Sequence, residues 1–229
     1  RDQPVRWLDF KENKLGNKEY LVDRMNQEAV EFIERNKEKP FFLYLSHYST
    51  HSILNGRADK VKKYIAKHPP GPSSRERCYL CQDSGHEGDA LHHWAQHHNP
   101  HLAAMLESID DGVGLIMDKL EELELSNDTI LIFSSDNGGE VHVTSNAPLR
   151  GGKSQLYEGG IRVPLIIRWP GQVPIGATTH SYTTSTDFFP TLAEACKLKT
   201  QENYKFDGTS VLGDWRETKQ RPAVRDLHW

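Results

Sequence analysis

Three cysteines in 229 residues, Cys78, Cys81 and Cys196, are too few for a disulfide-built scaffold. The chain also lacks an excess of positive charge. Lys and Arg number 28 against 32 Asp and Glu, a net charge of -4, so no strong field exists to hold nucleic acid. No apolar run approaches the ~20 residues that a membrane-spanning helix needs. The opening Arg-Asp-Gln-Pro-Val-Arg-Trp is not a signal peptide and has no starting Met, so a natural start upstream is expected. There is no internal repeat. Apolar residues make up 36% and charged residues 26%, a wet composition for a globular protein. Long apolar-periodic runs nevertheless exclude disorder throughout.

Those runs predict alternating elements. From Glu19 to Asn36, Leu21, Met25, Ala29, Phe32 and Ile33 share one helical face, and Pro40 follows the helix end. Phe41-Phe42-Leu43-Tyr44-Leu45 reads as a strand buried on both faces. Residues 52–100 carry a Pro/Gly-rich stretch and read as an excursion from the main sheet. Leu102 to Leu123 keeps helical spacing for about six turns. Thr129–Phe133 and Val163–Trp169 read as two further buried strands. Asp187 to Cys196 reads as a helix with Thr186 as N-cap and Pro190 in its first turn. Strand, helix, strand in this order predicts an α/β fold with a parallel sheet covered by helices.

The residues with chemistry to offer follow the second strand: Ser134-Ser135-Asp136-Asn137-Gly138-Gly139. Ligands of open α/β sheets bind at the carboxyl ends of strands. Asp136 and Asn137 sit there with oxygen atoms, the donors that hard cations prefer. A plain turn is the competing reading, since Asp-Asn-Gly is good turn chemistry. Farther on, Asn146-Ala147-Pro148-Leu149-Arg150-Gly151-Gly152-Lys153 leads to Tyr157-Glu158-Gly159-Gly160-Ile161-Arg162-Val163-Pro164. Glycines, prolines and a lysine in one loop suggest an anion site, because an ammonium is a mobile point charge suited to a tetrahedral oxyanion. A solvated surface lysine is the alternative.

Taken in order, these motifs resemble the sulfatase family, the formylglycine-dependent sulfuric ester hydrolases of the alkaline phosphatase superfamily. The matching segments are Ser135-Asp136-Asn137-Gly138, Gly152-Lys153, Glu158-Gly159-Gly160-Ile161-Arg162-Val163-Pro164 and Trp169-Pro170-Gly171. Flanking matches are Pro40–Leu45 with Thr50-His51, Glu107–Gly114, Asp187–Leu192 and Asp207–Ser210. The resemblance covers most of residues 19–215. It implies an alkaline-phosphatase-like parallel sheet sandwiched by helices, here incomplete, with residues 1–229 forming the second half of a catalytic domain. It implies calcium on Asp136 and Asn137, sulfate oxygens on Lys153, and His51 beside the sulfate and its leaving oxygen. His47 is read as a packed or polar neighbour. Ser154 departs from the glycine that the family favours after the lysine.

The same resemblance implies a formylglycine made from a Cys/Ser-x-Pro-x-Arg motif, and no such motif occurs in this sequence. The family's early acidic metal pair is also without a counterpart. The implied function is hydrolysis of sulfated sugars or aryl sulfates by the intact protein, with this chain alone inactive. The alternatives are a phosphodiesterase or phosphonate hydrolase of the same superfamily, or an inactive oxyanion- or sugar-binding module. The family also implies a secreted, periplasmic or lysosomal setting.

Two further features bear on metal binding. Asp110 and Asp111 are adjacent on a helix and point about 100° apart, which suits capping or packing contacts better than a shared metal. Cys78-x2-Cys81-x4-His86, followed by His92, His93, His97, His98 and His101, has ligand-like spacing for a structural zinc. A Cys78–Cys81 disulfide, free thiols and a wet His-rich loop remain alternatives. This stretch reads as a local insertion over about 55–100.

Overall fold

The computed structural model describes residues 19–67, 98–200, 204–217 and 226–227. They fall into two compact units: the described parts of Arg1–Ser126 with Ser134–Pro164, and of Asn127–Phe133 with Leu165–Trp229.

The first unit is built on three helices, α1 (Leu21–Asn36), α2 (Ala58–Lys67) and α3 (Pro100–Glu122). The ends of α1 and α3 fall within two residues of the sequence reading. The buried stripes do not fall where apolar spacing alone places them. On α1 the buried residues are Val22, Asn26, Ala29 and Ile33, while Leu21 and Met25 are half-buried. On α3 they are small and polar as often as apolar, including His101, Ala104, Ser108 and Gly112, whereas Leu106 and Leu115 are exposed. The reason is close helix approach. Asn26 of α1 reaches across and donates from Nδ2 to the Ser108 carbonyl at 2.9 Å. A Cβ at Gly112 would collide with the Asn26 amide. Ser108 turns its own hydroxyl back to the Ala104 carbonyl at 3.0 Å. Asn99 caps α3 by accepting from the Leu102 N–H at 3.0 Å, and Pro100 occupies the first turn, where its missing N–H costs nothing.

Helix α2 lies inside the stretch expected to lack regular structure. Its ten residues contain neither Gly nor Pro, and the breakers that motivated that expectation begin only at Pro69. It packs through Val61 and the buried Lys60, whose ammonium meets Asp111 and, at 3.4 Å, Glu107. Asp111 is thus an ion-pair partner, a packing contact as its spacing suggested. Arg57, just before α2, clamps Asp59 at 2.7 and 2.6 Å and Asp23 at 2.8 Å. That bidentate cation holds the Asp59 carboxyl down at about 2.

Between α1 and α2, residues 41–48 join no ladder among the described residues. Phe42 is 73% exposed and Tyr44 80% exposed, so the expected burial on both faces does not hold. Only alternate side chains turn inward, Phe41 meeting Phe32 edge to face at 6.0 Å.

The second unit contains most of strand β1 (Leu131–Ser134), with strand β2 (Leu165–Arg168) paired beside it. The expected parallel arrangement does not hold for this pair, which is antiparallel. A parallel return needs a long crossover, usually a helix. Here the intervening chain carries only the four-residue α4 (Glu158–Ile161). The chain re-enters where β1 leaves: the Ser134 hydroxyl donates to the Pro164 carbonyl at 3.0 Å. The strands are also less buried than expected, with Ile166 60% exposed. A core of Val211, Leu212 and Trp215 gathers Ile132, Ile167, Trp169 and Phe188. Helix α5 (Ser185–Ala195) starts two residues before the expected position. Its N-cap is Thr184, not Thr186, because the buried Asp187 carboxylate reaches back to accept from the Thr184 N–H at 2.7 Å. Asp187 also accepts from the Thr209 N–H at 2.9 Å, and Thr191 accepts from the Val211 N–H at 3.0 Å. These bonds tie Asp207–Ser210 to α5, just ahead of α6 (Leu212–Glu217).

Candidate active site

The candidate residues Asp136, Asn137, Lys153 and His51 all belong to the first unit. β1 delivers the first two. Where the strand ends, the Gly138 N–H donates to the Gly160 carbonyl at 2.9 Å, turning the chain against α4. A Cβ on Gly138 would strike the Gly159 carbonyl, so only glycine permits this approach. Asp136 is exposed and bonded to no described residue. Asn137 commits its amide to the Gly138 carbonyl at 2.9 Å, which leaves its side-chain oxygen as an acceptor.

The lysine loop is docked onto this turn by main-chain and amide bonds. The Lys153 N–H donates to the Gly139 carbonyl at 3.1 Å. Asn146 accepts from the Gly139 N–H at 2.8 Å, and its amide donates to the carbonyls of Gly139 at 2.9 Å and Gly151 at 3.1 Å. Gln155 closes the loop's other side, accepting from the Gly152 N–H at 3.1 Å. Asn146 and Gln155 are positioning residues that spacing does not reveal. Their only signal in the sequence is an amide side chain flanking a glycine-rich loop. The structure therefore brings Lys153 to the turn that carries Asp136 and Asn137. The half-buried Lys153 makes no ion pair with a described carboxylate, so its charge remains available. Ser154 next to it sits at φ 68, in the left-handed region where glycine is preferred, which gives a physical reason for the family's glycine here and leaves the serine strained.

His51 stands on the segment after Leu45. Its Nδ1 lies 2.8 Å from the Ser52 carbonyl, which only accepts, so Nδ1 carries the hydrogen in this exposed residue. The Tyr48 ring lies 5.5 Å away, centroid to centroid. No hydrogen bond joins His51 to Lys153 or Asp136. His47 is packed, as expected: its Nδ1 is buried without a partner among the described residues, and burial pushes its pKa below the usual histidine value.

Asp136 and Asn137 supply hard oxygen donors, the right chemistry for calcium, but only part of the six to eight it takes. Among the described residues there is no cluster of three or more His, Cys, Asp and Glu able to complete a metal shell. Cys78, Cys81, His86 and His92 lie outside the described residues. Cys196 is an exposed free thiol at the end of α5.

The chain is similar to known sulfatases. The Sulfatase family model matches residues 3–198. Human steryl-sulfatase is 34% identical over 201 residues, covering 84% of this chain and 29% of the relative. A sulfatase of Formosa agariphila is 32% identical over 228 residues, covering 93% of this chain and 37% of the relative. The solved structure of Ps i-CgsB in complex with k-i-k-neocarrahexaose superposes with a TM-score of 0.70 at 28% identity, covering 89% of this chain and 40% of that one. The chain thus spans about a third of the length of the curated relatives it matches.

Proposed function

Because this chain belongs to the sulfatase family, we propose that it carries the oxyanion and leaving-group side of a sulfuric ester hydrolase acting on sulfated sugars or aryl sulfates. The observation that supports this most is the uncommitted Lys153 ammonium on a loop docked by its own backbone to the Asp136–Gly139 turn. A charge fixed in advance near a transferring group contributes most where charge develops, because nothing must reorganise during the reaction.

In this reading Lys153 binds and orients the sulfate through its oxygens. His51 keeps Nδ1–H on the Ser52 carbonyl, so in the imidazolium form Nε2 is the atom that gives its proton to the departing alcohol oxygen, leaving the neutral ring with Nδ1–H. Tyr48 limits the swing of the imidazole. Asp136 and Asn137 would hold calcium, whose charge would offset that of the sulfate. Formylglycine does not fit this chain: Cys78, Cys81 and Cys196 are not followed by Pro-x-Arg. The compartment implied is secreted, periplasmic or lysosomal.

The test uses the full-length protein and an aryl sulfate. Lys153→Ala should lower turnover about 100- to 1000-fold, the range for loss of one preorganised charge-stabilising donor. His51→Ala should lower it most for esters with poor leaving groups, which need the proton. Faster hydrolysis of a phosphodiester or phosphonate than of any sulfate would move the assignment to that neighbouring activity. Sulfate binding without turnover by the full-length protein would make it a binding module. Unchanged rates in Lys153→Ala would remove this loop from the site.

A further inference from the structure

Three residues before Lys153, the exposed Arg150 lays its guanidinium over the Tyr157 ring, 3.9 Å from its centroid. Both partners are held by their backbones. The Arg150 carbonyl accepts from the Gly159 N–H at 2.7 Å, and the Tyr157 carbonyl accepts from the Gly160 N–H at 2.8 Å. Gly151, at φ 77, passes directly beneath Tyr157, where a Cβ would crowd the ring. The contact thus holds the guanidinium over the ring face, and its N–H groups donate to no described residue. The neighbouring carboxylate does not use them, because Glu158 pairs with Arg162 at 3.0 Å. Arg150 makes no ion pair with a described carboxylate. Its Cα can lie no more than about 11 Å from that of Lys153 across three peptide units.

A planar, pre-aimed guanidinium with open donors is suited to bidentate binding of an oxyanion. It stands near a second cation, Lys153, which the reading above places on the scissile sulfate. The pair matches a substrate carrying two anionic groups. We propose that Arg150, stacked on Tyr157, is a specificity determinant that binds a second anionic substituent, a sulfate or a carboxylate, on the saccharide whose sulfate ester faces Lys153. This rests on the sulfatase reading above. It adds that the preferred substrate is a polyanionic saccharide rather than a singly charged aryl sulfate.

The experiment compares kcat/KM of the full-length protein on 4-nitrophenyl sulfate, on a disaccharide bearing two sulfates, and on one bearing a sulfate and a uronate. Wild type should favour the doubly charged substrates, and the better of the two identifies the second group as sulfate or carboxylate. Arg150→Gln should lower the ratio of doubly to singly charged kcat/KM at least tenfold, through KM. Arg150→Lys, which keeps the charge but loses the fork, should lower it about threefold. Tyr157→Leu should act in the same direction by freeing the guanidinium. Melting curves on each variant separate this from misfolding, and the salt dependence of the wild-type KM, steeper for the doubly charged substrates, gives a reading that needs no variant. An unchanged ratio in both Arg150 variants, with sulfate hydrolysis intact, overturns this inference alone. Hydrolysis of none of the three esters by wild type overturns the sulfatase reading and this inference with it.

Discussion

Between α1 and α3 the joining atoms belong to side chains: the Asn26 amide on the Ser108 carbonyl and a glycine at 112 that makes room for it. Between the Asp136–Gly139 turn and the lysine loop they belong largely to the main chain, Gly138 to Gly160, Lys153 to Gly139 and Gly159 to Arg150. The helical layer is specified by what its residues bury. The site loop is specified by what its glycines omit and by the amides of Asn146 and Gln155, and the side chains of Lys153 and Asp136 take no part in holding it. Lys153 and Asp136 bear no structural duty, while Asn26 and Ser108 bear little else.

The contrast can be broken from either side. The largest effect on global stability is expected from Gly112→Ala, which forces a methyl into the buried Asn26 amide. Overpacking of this kind costs about 3 kcal/mol, measured as a lowered denaturation midpoint with helical content retained below it. Gly159→Ala should act differently, because its Cβ would meet the backbone carbonyls of Arg150 and Gly151 on the lysine loop. The cost should fall on the loop, so that the amides of Gly138, Lys153 and Gly159 lose their hydrogen-exchange protection while α1 and α3 keep theirs. Equal loss of protection in α1 and α3 would refute the separation of the two regions.

The comparison also explains what can be read from sequence. The lysine loop and its turn are largely legible because their glycines, Asp136, Asn137 and Lys153 stand in short contiguous motifs, and a backbone-built loop must write its requirements locally. The helix packing is legible in extent and not in detail. Apolar periodicity points to Leu106 and Met25, but the interface uses Asn26, Ser108 and Gly112, and a buried polar residue looks like a surface one until its partner, 82 residues away, is known. Phe41–Leu45 misleads for a related reason. Its aromatics are consistent with a strand, but burial on two faces depends on neighbours that composition does not reveal. The direction of β2 depends on the route of the chain between Ser134 and Pro164, which no local pattern records.

Ionisation sharpens the helical side. Tyr20 is 4% exposed and donates its hydroxyl to the Asn55 carbonyl at 2.7 Å. Burial pushes its pKa up to about 12 from 10.0. The folded state therefore resists ionisation that the unfolded state accepts. Stability from this group is complete below pH 10 and is lost as pH rises through about 12. Tyr20→Phe should cost about 1 kcal/mol at neutral pH and flatten the alkaline decline, measured by denaturant midpoints on either side of that window.

The smallest effect sharpens the loop side. Ser154→Gly removes the strain of a left-handed serine and should stabilise the lysine loop by about 1 kcal/mol, seen as slower exchange of the Lys153 amide with no change at α3. Faster exchange would mean that the hydroxyl, not the backbone angle, matters there.

A loop closed by main-chain bonds has a consequence for divergence. Its shape is inherited through a few glycines with Asn146 and Gln155, and is indifferent to the identity of outward side chains such as Leu156, which is 75% exposed, and His142. Those positions can drift or be randomised while the ammonium keeps its address. The frame is a fixed socket with an interchangeable rim, and a library confined to that rim leaves the fold undisturbed.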